Sequence, residues 1–271
     1  MQRKNLILAV FGLIFLVYLG WWGWLQTRTD HETIYNFLFN IVYGLPLLVI
    51  PLIPLYRLLK NRGSREPLHS VVRWGSLGIL SFGIAQTIWT YYNLWGGFEV
   101  PEVKPTDLFY FLYYFCSIVA LVKLTALNRD PVSQKRLLTS LPVVMIITGI
   151  ALAVIWPKAF QGDPIALILN SSYVISDSVL LILTITNFAA LGTKINRALI
   201  PLLLGVIIMS AGDMLYMYRA AIETYWNGDI VDGLLALGTL DVALAVVLLM
   251  PGRVQNQLPP TAPEQPAGGA V

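Results

Sequence analysis

Residues 230–250 read IVDGLLALGTLDVALAVVLLM, a run that holds two acids and no cation. At 1.5 Å per residue a helix of this length is about 30 Å long, which matches the hydrocarbon core of a bilayer. A helix apolar on every face belongs either in lipid or deep inside a large protein. The chain has 271 residues, and comparable runs occur at 5–26, 34–57, 72–94, 107–125, 138–156, 165–190 and 198–219. No soluble domain of that size could bury eight such helices. The expected fold is therefore all-α, a polytopic transmembrane bundle of about eight spans over residues 1–252. Composition agrees: 56% of residues are hydrophobic and 12% charged, against about 25% charged in an ordinary soluble domain.

The cations provide a separate test of this topology. With the N-terminus in the cytoplasm, the inner segments hold Arg3, Lys4, Arg57, Lys60, Arg62, Arg65, Arg73, Lys123, Arg129, Lys135, Arg136, Lys194, Arg197 and Arg253. The outer segments hold only Arg28, Lys104, Lys158 and Arg219. This alternation is the positive-inside pattern, and one missed span would destroy it. Both termini are accordingly expected inside. The formal net charge of +3 needs no nucleic-acid partner, and the lipid bilayer is the partner the composition requires.

Met1-Gln2-Arg3-Lys4, followed by the apolar stretch Asn5 to Leu19, has the first two regions of a signal peptide. Gly20-Trp21-Trp22-Gly23-Trp24 then stands where small residues would mark cleavage, so an uncleaved first span is expected. Trp21, Trp22, Trp24, Trp95, Trp156 and Trp226 all fall at outer span ends, as an interfacial belt or as an aromatic mouth for an amphipathic ligand. Asp107, Asp163, Asp229 and Asp232 stand at outer helix starts, where capping and the helix dipole account for them. Residues 253–271 are rich in proline and small polar residues and are expected to form a disordered cytoplasmic tail.

An internal repeat is also legible. Gly78 precedes Gln86 by the same interval as Gly205 precedes Asp213. The helices that follow align Asp107 with Asp232 and Cys116 with Asp241. Tyr173 to Asp177 offers a third, shorter copy. Each unit is an in–out–in hairpin, so the copies are parallel rather than inverted.

Within the spans, Asp177 and Asp241 fall near mid-depth and Asp213 in the outer half. An aspartate at the centre of a span costs about 2.5–3.5 kcal/mol on insertion scales, so it normally faces the bundle interior. No cation lies at matching depth, and each carboxyl is expected to be protonated or hydrogen-bonded. Asn170, Tyr173 and Asp177 share one helical face, as do Asn36, Asn40 and Tyr43, while Gln86 and Thr90 line another. Asp177, Asp213, Asp241, Asn170, Tyr173, Gln86 and Asn40 are thus candidate ligand-binding residues. The plainer reading is that they form interhelical hydrogen bonds of about 0.6 kcal/mol each, holding the bundle together. Neither a catalytic centre nor a metal or cofactor is expected. Cys116 is the single cysteine, His31 and His69 fall on opposite sides, and no nucleophile elbow, phosphate loop or zinc-binding His pair is present. The last span also lacks the lysine a retinal Schiff base would need.

Three stretches carry a family resemblance: Pro105-Thr-Asp107-Leu-Phe-Tyr110-Phe-Leu-Tyr113, Ser172-Tyr173-Val-Ile-Ser-Asp177, and Gly212-Asp213-Met-Leu-Tyr216 with Tyr225-Trp-Asn-Gly228-Asp-Ile-Val-Asp232. Over residues 75–250 the chain resembles a bacterial multi-helix membrane module that commonly precedes diguanylate cyclase, phosphodiesterase or histidine-kinase domains. The resemblance implies a signalling input module in the cell (inner) membrane. Only the tail follows Met250, so signalling is expected to pass through a separate partner protein. Gly212-Asp213-Met-Leu also resembles lysoplasmalogenase-like membrane hydrolases, although their downstream His-x-x-Tyr segment is missing. That likeness implies an acid–base pair of Asp213 and Asp177 acting on lipid. An ion-coupled carrier using the same acids is a third expectation.

Overall fold

The structure is a computed structural model that describes residues 2–60, 68–95, 104–127, 164–190 and 192–250, with a few positions between 141 and 153. The described helices are α1 Gln2–Gln26, α2 Ile34–Val49, α3 Leu52–Lys60, α4 Leu68–Trp95, α5 Pro105–Ala126, α6 Pro164–Ala190, α7 Gly192–Ala221 and α8 Ile230–Leu248. α2 and α3 form one crossing, Ile34–Lys60, so seven apolar crossings stand among the described residues. The expected span at 138–156 lies largely outside those residues, and described positions within it, such as 148–150, are helical. The expected tail, 253–271, lies wholly outside them. The protein is an all-α membrane bundle.

The span expected at 34–57 is interrupted at Ile50–Pro51, and proline is the cause. Pro46, Pro51 and Pro54 lack the N–H groups that would bond back along the helix, and their rings crowd the preceding turn. The helix closes with Ile50 N–H on the Pro46 carbonyl at 2.8 Å. It restarts with Leu55 N–H on the Pro51 carbonyl at 3.2 Å.

The tightest packing lies within two sequential pairs, α4 with α5 and α7 with α8. α2 lies on α4, α6 contacts both α5 and α7, and α1 lies mainly against α8. α8 is central and α1 peripheral: 72% of α8's most apolar window is buried, against 11% for α1. Leu6, Leu13 and Leu16 on α1 and Leu108 and Phe115 on α5 are exposed, the outward apolar surface that lipid would cover.

Glycine sets the closeness of both pairs. A methyl group on Gly205 of α7 would stand 2.7 Å from the Gly238 carbonyl oxygen of α8. One on Gly238 would stand 2.9 Å from the Gly205 carbonyl. In the other pair, a methyl on Gly78 of α4 would meet Ser117 Oγ of α5 at 2.9 Å. Small residues at such crossings let backbones touch where lipid offers no hydrophobic drive to association.

Candidate functional site

The two tight pairs, with α2 and α6, meet around one end of the bundle, where α4 finishes and α5 and α8 begin. Here the chain supplies tyrosines and acids in place of the leucines and valines found deeper down. A cavity results, lined by residues of α2, α4, α5, α6, α7 and α8 and of the segment before α8. The space between these side chains, its mouth included, is about 740 Å³. The part that can hold the centre of a water molecule is about 90 Å³. That is room for several waters or a small organic molecule.

Three carboxyls form part of the wall: Asp107, Asp213 and Asp232. Asp107 and Asp232 are each the third residue of their helix, and each closes its own start. Asp107 Oδ2 accepts the Lys104 N–H at 2.7 Å, and Asp232 Oδ2 accepts the Gly228 N–H at 2.6 Å. Each also takes a phenol, Asp107 from another helix and Asp232 from the segment just before its own. Tyr173 donates to Asp107 Oδ1 at 2.7 Å, and Tyr225 donates to Asp232 Oδ1 at 3.1 Å. Burial, reinforced by the Asp232 charge, pushes the Tyr225 phenol well above its ordinary value, so it remains a donor. Capping, the expectation for both acids, is thus present, and the same carboxyls also face the cavity. Asp229 caps α8 directly, its Oδ1 accepting the Val231 N–H at 2.8 Å while Arg219 Nη1 stands 2.7 Å from its Oδ2.

The third wall acid, Asp213, is joined to Asp177 through one hydroxyl. Tyr114 Oη lies 2.9 Å from Asp213 Oδ2 and 3.1 Å from Asp177 Oδ1. A phenol has one proton to give. Both contacts are full hydrogen bonds only when one carboxyl contributes a proton of its own. The three groups therefore form a short proton-sharing chain. Asp177 is buried behind the wall, and its Oδ2 has no partner among the described groups.

Aromatic rings fill most of the remaining surface, among them Tyr43, Phe82, Trp89, Tyr110 and Tyr216. Gln86 Nε2 donates to the Tyr110 hydroxyl at 2.9 Å. Its Oε1 is buried and has no partner among the described residues, as is true of Thr106 Oγ1, and both residues line the cavity. Lys104 completes the wall with its ammonium nitrogen 4.4 Å from the centre of the Trp89 ring. Burial lowers the Lys104 pKa, and the neighbouring Asp107 charge offsets part of that shift.

Of the residues singled out from sequence, Asp213, Asn170, Tyr173 and Gln86 line the cavity. Asp177 sits one hydroxyl behind it. Asn40 does not line it, and instead donates to Asn227 Oδ1 at 2.8 Å. That oxygen also receives Trp89 Nε1 and Asn93 Nδ2, each at 3.2 Å, and so ties α2 and α4 to the segment before α8. Asp241 is half-buried on α8 away from the cavity. Asn227, Tyr225 and Lys104 are not among the ligand-binding candidates from sequence, because they lie outside the spans, where polar residues are ordinary.

Several positions that the repeat expected from sequence would pair also lie on the wall. Gln86 and Asp213 face it, as do Trp89 and Tyr216, each three residues further on. So do Asp107 and Asp232, with Tyr110 and Leu235 three residues beyond. Comparison with protein-family models, curated proteins and solved structures finds no match to this chain.

Proposed function

We propose that this protein is a non-enzymatic membrane receptor that binds a small ligand in the acidic, aromatic cavity, on the outer side of the cell membrane. The observation that carries this reading is the pair of buried, unpartnered acceptors on the wall, Gln86 Oε1 and Thr106 Oγ1. A buried acceptor left unpaired costs about 1–3 kcal/mol, and a ligand or ordered water removes that cost. The outward orientation is supported by the cation alternation, which places the tryptophan-rich ends outside. In keeping with the resemblance to input modules, ligand occupancy would be passed on as a signal. The aligned hairpins α4–α5 and α7–α8, with corresponding glycine contacts and corresponding wall residues, support an origin by duplication with the cavity between the copies.

The test is thermal stabilisation of the purified protein by a panel of water-soluble small molecules of mixed charge. At one hundred times its dissociation constant a ligand adds about 2.7 kcal/mol of stability. Asn170, half-buried on the wall, is the place to block the cavity. A panel member should stabilise the parent protein and fail to stabilise Asn170→Trp. No stabilisation from any member, or equal stabilisation of both proteins, would overturn the reading.

A second reading, lipid hydrolysis, is favoured by the Asp177–Tyr114–Asp213 chain, which could hold and return a proton beside a bound substrate. Turnover of a lysophospholipid by the parent protein, abolished in Asp213→Asn, would establish it in place of the first. Ion-coupled transport draws no comparable support. The next cavity along the bundle is lined chiefly by Val, Leu, Ala and Gly, including Val72, Leu121, Leu202 and Val246, and offers an ion few ligands.

A further inference from the structure

The chemistry of the wall narrows the ligand class, on the premise that the cavity is a binding site. Its formal charges are three carboxyls against one ammonium, that of Lys104. Arg219 is engaged elsewhere, beside Asp229. An anionic ligand would face that excess of negative charge in a poorly hydrated setting, where charges interact more strongly than in water. Of the two unpaired groups, Gln86 Oε1 can only accept and Thr106 Oγ1 can accept, and ionised carboxylates likewise take donors. Aromatic faces surround these acceptors, and cations bind such faces. Lys104 supplies the most direct observation, because its own alkylammonium already rests on Trp89 within the cavity.

We infer that the cavity binds a small primary alkylammonium ion. Its nitrogen sits among Asp213, Asp232 and Gln86, and its hydrocarbon lies against Tyr110, Tyr216 and Trp89. Lys104 is a tethered competitor for the Trp89 ring face, and a ligand binds by displacing it. A primary amine fits better than a quaternary one, since three N–H donors satisfy acceptors that a methylated nitrogen leaves unpaired.

Isothermal titration of the full-length protein in detergent with butylammonium, tetramethylammonium, 1-butanol and butyrate tests this inference. Butylammonium should bind at least tenfold more tightly than each of the others. Lys104→Met should raise its affinity by about fivefold or more, and Asp213→Asn should lower it at least tenfold. The Lys104 substitution keeps the backbone N–H that Asp107 accepts, so it remains informative should Asp213→Asn fold poorly. Binding of 1-butanol or butyrate as tight as that of butylammonium overturns the cation assignment and leaves the binding-site reading standing. Unchanged or weakened binding in Lys104→Met overturns the competitor role. If no probe binds either protein, the ammonium assignment fails, and the mixed-charge panel on the parent and Asn170→Trp decides the cavity's role separately.

Discussion

Tyr114 places a single phenol between two acids, and the consequences are measurable at that one residue. Removing the hydroxyl in Tyr114→Phe leaves buried carboxyl oxygens without their partner and should cost about 1–3 kcal/mol of stability in a reversible unfolding assay. In a double-mutant cycle with Asp213→Asn the coupling should be about 1 kcal/mol, within the range of interhelical hydrogen bonds in membranes. Additive effects would show that the phenol does not link the acids. Asn227 is the second such residue. Asn227→Ala strips the acceptor from Asn40, Trp89 and Asn93 together and should destabilise by a similar amount, whereas a change confined to one of those donors should do less. Lys104 gives a pH signature. Its folded pKa is lowered, so the unfolded chain binds more protons between that lowered value and 10.5, and stability rises with pH across this window. Lys104→Met should remove that slope from a stability–pH profile. Some of this was legible in the sequence. Asp213, Asn170, Tyr173 and Gln86 carry polar chemistry at depths where lipid-facing positions do not, and they meet at one cavity. Asp107 and Asp232 looked fully explained as helix caps, because local pattern shows how an acid serves its own helix and not which phenol or cavity its other oxygen meets.

Helix spans follow from hydropathy because lipid requires long, continuous apolar runs, and the ends at Gln26, Trp95, Ala126 and Leu248 fall within a few residues of expectation. The break between α2 and α3 does not register in hydropathy, since proline is unremarkable in polarity while lacking the N–H a helix needs. Glycine spacing pairs Gly78 with Gly205 only as an expected repeat. Their actual role, setting how closely α4 approaches α5 and α7 approaches α8, depends on the partner helix. Gly205→Ala should force the α7–α8 crossing apart and cost about 1–3 kcal/mol as overpacking. Gly12→Ala on α1 should be neutral or better, because a methyl group there meets nothing within 4 Å. Unfolding of the two variants in the same detergent is the comparison, and equal stability would remove the close-packing account of this pair.

At the scale of the whole molecule, two tightly packed helix pairs enclose an acidic and aromatic cavity at one end, with an apolar seam beneath it and α1 on the periphery. The proposed function requires that this cavity open to the outer side of the membrane. Asn170 lines its wall, and Lys60 is exposed at the opposite end of the bundle. Cys116 is 2% exposed and can be replaced by serine to give a background without native thiols. The direct measurement is labelling of Asn170→Cys and Lys60→Cys, each in the Cys116→Ser background, with a membrane-impermeant thiol reagent added to intact cells. Asn170→Cys should react in intact cells and Lys60→Cys only after permeabilisation. The reverse pattern would contradict the account, as would failure of Asn170→Cys to react under both conditions.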